Sequence, residues 1–201
     1  PGTALLASVL LRVADAAVSG VPFAAGLAMR DAVAETCGVD AGLKWPNDLL
    51  VRGRKLCGLL AEVCPEASAD GKTAVIVGAG VNLRVPAFPE GVDGVSLHEL
   101  VSKPPGPETL LDVWLRNLDA RVSAVEQEGM AALLAGWRRH ATGLGGPVRV
   151  VTAGSVIAGT AVDVRDDGAL LVRTAGGVTP VLAGDVQLVA EPDRSDRMRE
   201  R

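Results

Sequence analysis

The stretch Leu43 to Val63, LKWPNDLLVRGRKLCGLLAEV, sets two lysines, an Asn-Asp pair and a glycine inside an otherwise apolar run. It reads as two strands, Leu43 to Val51 and Leu56 to Val63, with Arg52-Gly53-Arg54 supplying the turn. A hairpin closing about Gly53 brings Asp48 opposite Gly58 and places Lys55 at the start of the returning strand, close to the same face. Lys44, Asp48 and Lys55 then converge. Two ammonium groups and one carboxylate suit a triphosphate and its metal: lysines neutralise phosphate oxygens and a carboxylate holds Mg2+. Gly58, with no Cβ, lets a ligand approach backbone N–H and C=O groups. The competing reading is a solvated hairpin tip on which Arg52, Arg54 and Lys55 are ordinary surface charges. Pro46 inside the first run requires an edge or irregular position.

The flanking chain supplies the elements such a hairpin needs as neighbours. Ala4 to Arg12 is a continuous apolar run, like a buried strand. Ser19-Gly20-Val21-Pro22 opens a helix that ends near Cys37-Gly38, with Gly38 as its C-cap. Thr73 to Val81 is a short apolar strand running into Gly78-Ala79-Gly80-Val81-Asn82. That segment is no dinucleotide fingerprint, because Leu83 stands where the third glycine belongs and no helix start follows. Its small residues suit a planar ring lying against the backbone, with the Asn82 amide reading the polar edge. The alternative is a tight turn after a core strand.

Loop signals dominate from Pro86 to Pro107. A helix then carries Leu111, Trp114, Leu118, Val122 and Val125 at spacings of three and four. A second runs from Met130 to His140 and stops before Gly143-Leu144-Gly145-Gly146. Beyond it short Val-rich runs alternate with Gly and Asp turns, the pattern of a small all-β unit. The expected division is therefore 1–146, then 147–190, with a charged tail over 191–201.

Composition narrows the chemistry. The chain has 201 residues, 48% of them hydrophobic, so it is globular and long enough for one or two domains. Aromatics are 2% with no Tyr, which leaves few rings for stacking bases, and the net charge of −4 argues against broad attraction to nucleic acid. Cys37, Cys57 and Cys64 lack metal-ligand spacing and read as reduced thiols of a cytoplasmic protein. His98 and His140 stand far apart without a metal motif. No apolar run approaches the ~20 residues of a membrane span. No Ser-His-Asp order or Walker A loop is present, so nucleophilic catalysis by the protein is not expected.

The order Lys44-Trp45-Pro46-Asn47-Asp48, then Arg54-Lys55-Leu56-Cys57-Gly58, then Gly78-Ala79-Gly80-Val81-Asn82 resembles the biotin protein ligases. In that family K-W-P-N-D is followed by K-L-x-G and later by G-x-G-x-N. Gly146-Pro147-Val148 and Asp167-Gly168-Ala169-Leu170-Leu171-Val172 look like the family's C-terminal small β-barrel. The resemblance runs from Ala4 to about Val189, and the five-residue block is its most specific part. It implies an α+β fold: a mixed β-sheet packed by helices, as in class II synthetases, followed by the barrel.

The implied reaction has two steps. Biotin's carboxylate attacks the α-phosphate of ATP to give biotinyl-5′-adenylate and pyrophosphate, and a lysine of the biotin carboxyl carrier protein then attacks the mixed anhydride. Carried over by motif, Lys55 contacts the biotin carboxylate and adenylate phosphate, and Lys44 is a second phosphate contact. Asp48 lies near the ribose and Mg2+, Asn47 belongs to the same adenylate-binding block, and Asn82 lies near adenine. Gly58 and Leu59 supply backbone facing the biotin ureido ring. The family's glycine- and arginine-rich loop, and a Ser/Thr-Thr-Asn motif, are expected upstream of Pro1. The helix-turn-helix of its repressor-type members is not visible in these residues. A lipoate–protein ligase and a non-catalytic biotin- or adenylate-holding module are the alternatives. Exposed strand edges leave a homodimer open.

Overall fold

The computed structural model describes residues 2–189. The chain divides into two compact units, Pro1–Thr142 and Gly143–Arg201. The charged tail expected at 191–201 lies outside the described residues.

The first unit is built on a five-stranded antiparallel sheet. Its strands are β1 (Ala4–Ala14), β2 (Gly42–Lys44), β3 (Asp48–Val51), β4 (Arg54–Val63) and β5 (Lys72–Asn82), in the order β1-β5-β4-β3-β2. The α+β class is as expected; the named strands pair antiparallel, and the parallel contacts are isolated bridges. β1 departs from the buried strand read from its sequence. It is an edge strand paired only with β5, and its residues alternate: Leu5 and Val13 are buried, whereas Leu6 is 81% and Leu10 43% exposed. An apolar run is buried on both faces only where layers cover both faces. Here helices cover one.

Those helices are α1 (Val21–Cys37), α2 (Leu97–Leu100), α3 (Pro107–Glu128) and α4 (Met130–His140). α1 is rich in Ala and Gly and buried around much of its circumference, which fits a helix packed between the sheet and α3. Gly38 ends it in the left-handed region at φ 68°, closing onto the Ala34 carbonyl. Trp114 of α3, wholly buried, donates its indole N–H to the Ala25 carbonyl at 3.3 Å. Phe23 and Trp137 meet edge to face with centroids 5.5 Å apart, joining α4 to the same core.

The second unit holds β6 (Pro147–Val151), β7 (Val156–Val164), β8 (Leu170–Thr174), β9 (Gly177–Val181) and β10 (Asp185–Leu188). The small β-rich unit is as read from the sequence. Its antiparallel order is β10-β6-β7-β8-β9, so hydrogen bonding does not close β9 onto β10 as a complete barrel requires. Val148, Val150, Val164, Leu170 and Val172 form its buried interior.

Candidate functional site

The run expected to be one strand, Leu43 to Val51, is two. β2 stops at Lys44, the Trp45–Pro46 peptide is cis, and β3 begins at Asp48. Pro46 has no N–H to give a ladder, so the irregular position anticipated for it is this turn. Lys44 and Asp48 thereby become a direct cross-strand pair. Asn47 staples the turn to the neighbouring strand: its carbonyl accepts the Leu59 N–H at 2.9 Å, and its Nδ2 donates to the Leu59 carbonyl at 2.5 Å. The β3–β4 hairpin closes over Arg52 and Gly53 at φ 53° and 80°, the positive values that a two-residue connection matching strand twist requires.

Asp48 pairs with Gly58, the register read from the sequence. Between them the ladder slips: Leu49 faces Cys57 but Leu50 faces Lys55, leaving Leu56 without a partner in a β-bulge. Leu56 and Cys57 are consecutive and both buried on the helix side. Lys55 is therefore turned to the open face, where its Nζ reaches Asp48 Oδ1 at 2.5 Å. Lys44 Nζ lies 3.2 Å from Asp48 Oδ2. One carboxylate, 9% exposed, thus holds two ammonium groups, and the cluster keeps a net charge of one positive unit. Lys44 is mostly covered, while Lys55 remains about half exposed and open to a ligand.

Beside this cluster the open face of the sheet forms a groove of about 450 Å³. Its floor is glycine: Gly58 pairs with Gly80, and Gly78, opposite Leu60, lies two residues away along β5. Leu6, Ser8 and Leu60 wall it, and Asn47 and Lys55 stand at its charged end. The glycines have separate reasons. A Cβ on Gly58 would sit 3.1 Å from both Cε and Nζ of Lys55, so this glycine makes room for the ammonium. A Cβ on Gly78 would meet nothing closer than 3.9 Å, so this one keeps the floor low. An apolar trough with polar groups gathered at one end is the usual form of a small-molecule site.

The structure therefore brings Lys44, Asn47, Asp48, Lys55 and Gly58 together. Leu59 contributes differently from the expectation. Its side chain is buried on the helix side near Gly26, and its N–H and C=O are both taken by Asn47. Asn82 gives both amide hydrogens to the protein, to the Lys55 carbonyl at 3.1 Å and the Val95 carbonyl at 3.2 Å, which leaves its Oδ1 as the group to offer a base. Asn82→Ala should lower unfolding free energy by about 1 kcal/mol, and Asn82→Asp by more, because a carboxylate would face two carbonyl oxygens. Urea denaturation checks the order; an Asp variant as stable as the Ala variant would remove the bridging role.

The glycine-rich segment is not a turn after the strand but the last five residues of β5, paired through to Asn82. Cys57 pairs with Leu49 and is buried. Burial pushes its thiol up to about 12, against the opposing pull of Lys55, so it is no nucleophile. The expected Mg2+ ligand does not fit. Asp48 is a lone carboxylate already facing two ammonium groups, and among the described residues no three His, Cys, Asp or Glu side chains gather. A divalent cation there would have to displace a lysine; one carried on nucleotide phosphates would not. The wall residues Leu6, Ser8 and Leu60 were missed in the sequence, although alternation along β1 and β4 would have found them once the register was known.

Residues 1–82 match the family model described as the biotin/lipoate A/B protein ligase family, and residues 143–189 match that of the biotin protein ligase C terminal domain. The chain is 37% identical over 191 residues to the biotin--[acetyl-CoA-carboxylase] ligase of Mycobacterium tuberculosis, covering 90% of this chain and 68% of that protein. This chain belongs to the biotin protein ligase family. The ligase of the same description from Paracoccus denitrificans is 32% identical, over 85% of this chain and 73% of its own. The solved Aquifex aeolicus biotin protein ligase in complex with biotin and ATP superposes with a TM-score of 0.77 at 25% identity, over 94% of this chain and 79% of that one. The chain spans about half the length of the bifunctional ligase/repressors that it also matches. No helix among the described residues is long and apolar enough to cross a membrane.

Proposed function

We propose that this chain activates biotin with ATP to biotinyl-5′-AMP and passes the biotinyl group to a lysine of the biotin carboxyl carrier protein of acetyl-CoA carboxylase. The observation that carries the reading is the Lys44–Asp48–Lys55 cluster at the end of a glycine-floored apolar groove. Biotin's bicycle and valeryl chain suit the trough, which puts the carboxylate at Lys55. In the first step a carboxylate oxygen forms a bond to the α-phosphorus and the bond to pyrophosphate breaks. Negative charge grows on the bridging and equatorial oxygens, where the Lys55 ammonium stabilises it without reorganising. Lys44 adds a second positive charge, and Asp48 holds both lysines in place. In the second step the carrier's lysine amine attacks the anhydride carbonyl, AMP leaves, and the amine loses its proton.

Asn47 fixes the turn that aligns Lys44 with Asp48 and stands at the groove mouth, next to the adenylate. Asn82 Oδ1 is the acceptor available to an adenine amino group. Mg2+ would come with the ATP phosphates rather than on Asp48, and would supply positive charge there. The unit carrying the groove is the catalytic domain, and the β-rich unit, assigned to 147–190, serves adenylate retention or carrier docking.

A lipoate ligase is the weaker reading, because the match over residues 143–189 is to a biotin protein ligase domain. Pyrophosphate release from ATP decides: it should require biotin and not be supported by lipoate. Biotin binding without pyrophosphate would instead mark a non-catalytic binding module.

A further inference from the structure

β5 pairs with β4 only as far as Val81 opposite Cys57, then leaves the sheet after Asn82, where Leu83 and Arg84 turn their N–H groups to the Thr3 carbonyl. The place beside Arg54 and Lys55 that β5 vacates is filled by a strap, Asp93 to Ser96. The Lys55 N–H donates to the Asp93 carbonyl at 2.8 Å, the Val95 N–H donates to the Lys55 carbonyl at 2.9 Å, and Asn82 bridges the Lys55 and Val95 carbonyls. Both backbone polar groups of Lys55 are thus held by a loop segment rather than by a core strand.

Arg54 clamps that strap. Its Nη1 donates to Glu99 Oε2 at 3.0 Å, its Nε lies 3.5 Å from Asp93 Oδ1, and its Nη2 donates to the Gly94 carbonyl. Glu99 is also the reciprocal partner of Ser96 in the capping box that starts α2, accepting the Ser96 N–H at 2.9 Å. The Phe88 ring packs against Gly94 of the strap, 2.4 Å from where a Cβ would stand. Arg54 does not line the groove.

We propose that Arg54 is a positioning residue for the reaction, acting through the Asp93–Ser96 strap to hold Lys55 at its post; the proposal rests on the role given to Lys55 above. Lys55 is half exposed and long, so the position of its Nζ depends on its backbone as well as on the contact with Asp48. A lysine backbone that drifts by an ångström misplaces the charge that must meet the transferring oxygens, and such misplacement is felt in turnover more than in ground-state binding.

The test is a double-mutant cycle on pyrophosphate release. Arg54→Ala should lower kcat by about tenfold or more while KM for biotin moves no more than about threefold. Arg54→Lys, which keeps one charged contact, should recover part of the loss. In a Lys55→Ala background Arg54→Ala should cost nothing further, since the residue through which it acts is gone. Hydrogen exchange supplies a reading free of turnover: the Lys55 and Val95 amides should lose protection in Arg54→Ala. The same fold-loss in both backgrounds, or unchanged protection at those amides, overturns the proposal. Wild-type protein that releases no pyrophosphate with biotin, or a Lys55→Ala variant that keeps the wild-type rate, overturns the function assigned above instead.

Discussion

Lys55→Ala is expected to slow biotin-dependent pyrophosphate release by about 30- to 1,000-fold, the ~2–4 kcal/mol that a positioned electrostatic donor contributes as transferring charge develops. The fold should survive, because the side chain is half exposed and crosses the open face rather than the core. The loss should appear mainly in kcat, with a smaller change in biotin affinity from the missing charge at the carboxylate end. Asp48 would retain Lys44 as its partner, so the buried carboxylate is not abandoned. Rapid-quench measurement of the first turnover isolates the step. Wild-type pyrophosphate release in the variant would remove Lys55 from the chemistry.

Gly78→Val is expected to separate binding from stability in opposite directions. A glycine inside a strand has conformational freedom to lose and no side chain to pack, so a β-branched residue there should leave the melting temperature unchanged or raise it. The position accepts the first carbon without collision, since the nearest atoms, the Leu60 carbonyl and Ser8 Oγ, are both 3.9 Å from it. The added methyl groups, however, fill the floor of the groove between Leu6, Ser8 and Leu60. Biotin affinity should fall by about 100-fold, because a rigid bicycle cannot share that volume and packed strands do not yield an ångström cheaply. Calorimetric titration together with a thermal melt reads both effects. A stable variant that still binds biotin at wild-type affinity would place the ligand elsewhere.

The hairpin was legible from its glycine turn: counting from Gly53 as the centre puts Asp48 opposite Gly58, and the structure reaches the same pair by a two-residue turn, Val51 closing on Arg54, plus the extra residue Leu56. The helix ends at Gly38 and the five short strands after Gly146 were legible for the same reason, since glycine and proline punctuate locally. What escaped depends on distant chain. Ala4 to Ala14 has the composition of a buried strand, but which of its faces a helix covers is decided by α3, more than ninety residues away. The strap was invisible because Asp93 and Val95 join Lys55 across nearly forty residues of loop; only the Ser96-Leu97-His98-Glu99 capping box offered a local sign of order there. Asn82 was read as facing outward to a base, whereas its donors face inward to the strap.

The unpartnered Leu56 gives the spacing Lys55-Leu56-Cys57-Gly58 a meaning beyond its residue types. In an unbroken strand, positions three apart point to opposite sides of the sheet. A lysine and a glycine so spaced can serve one ligand only if the strand carries one residue too many between them. The interval is therefore a measure of length, and it specifies an irregular backbone as firmly as it specifies an ammonium group. Inserting one residue between Leu49 and Leu50 would give Leu56 a partner and, on paper, mend the ladder. It would also turn the lysine toward Leu49 and the helices, into a core with no acceptor waiting for it. A search that scores only the interval between the lysine and the glycine would accept such a chain as a relative, and the protein it found would be unable to hold the charge where the groove needs it.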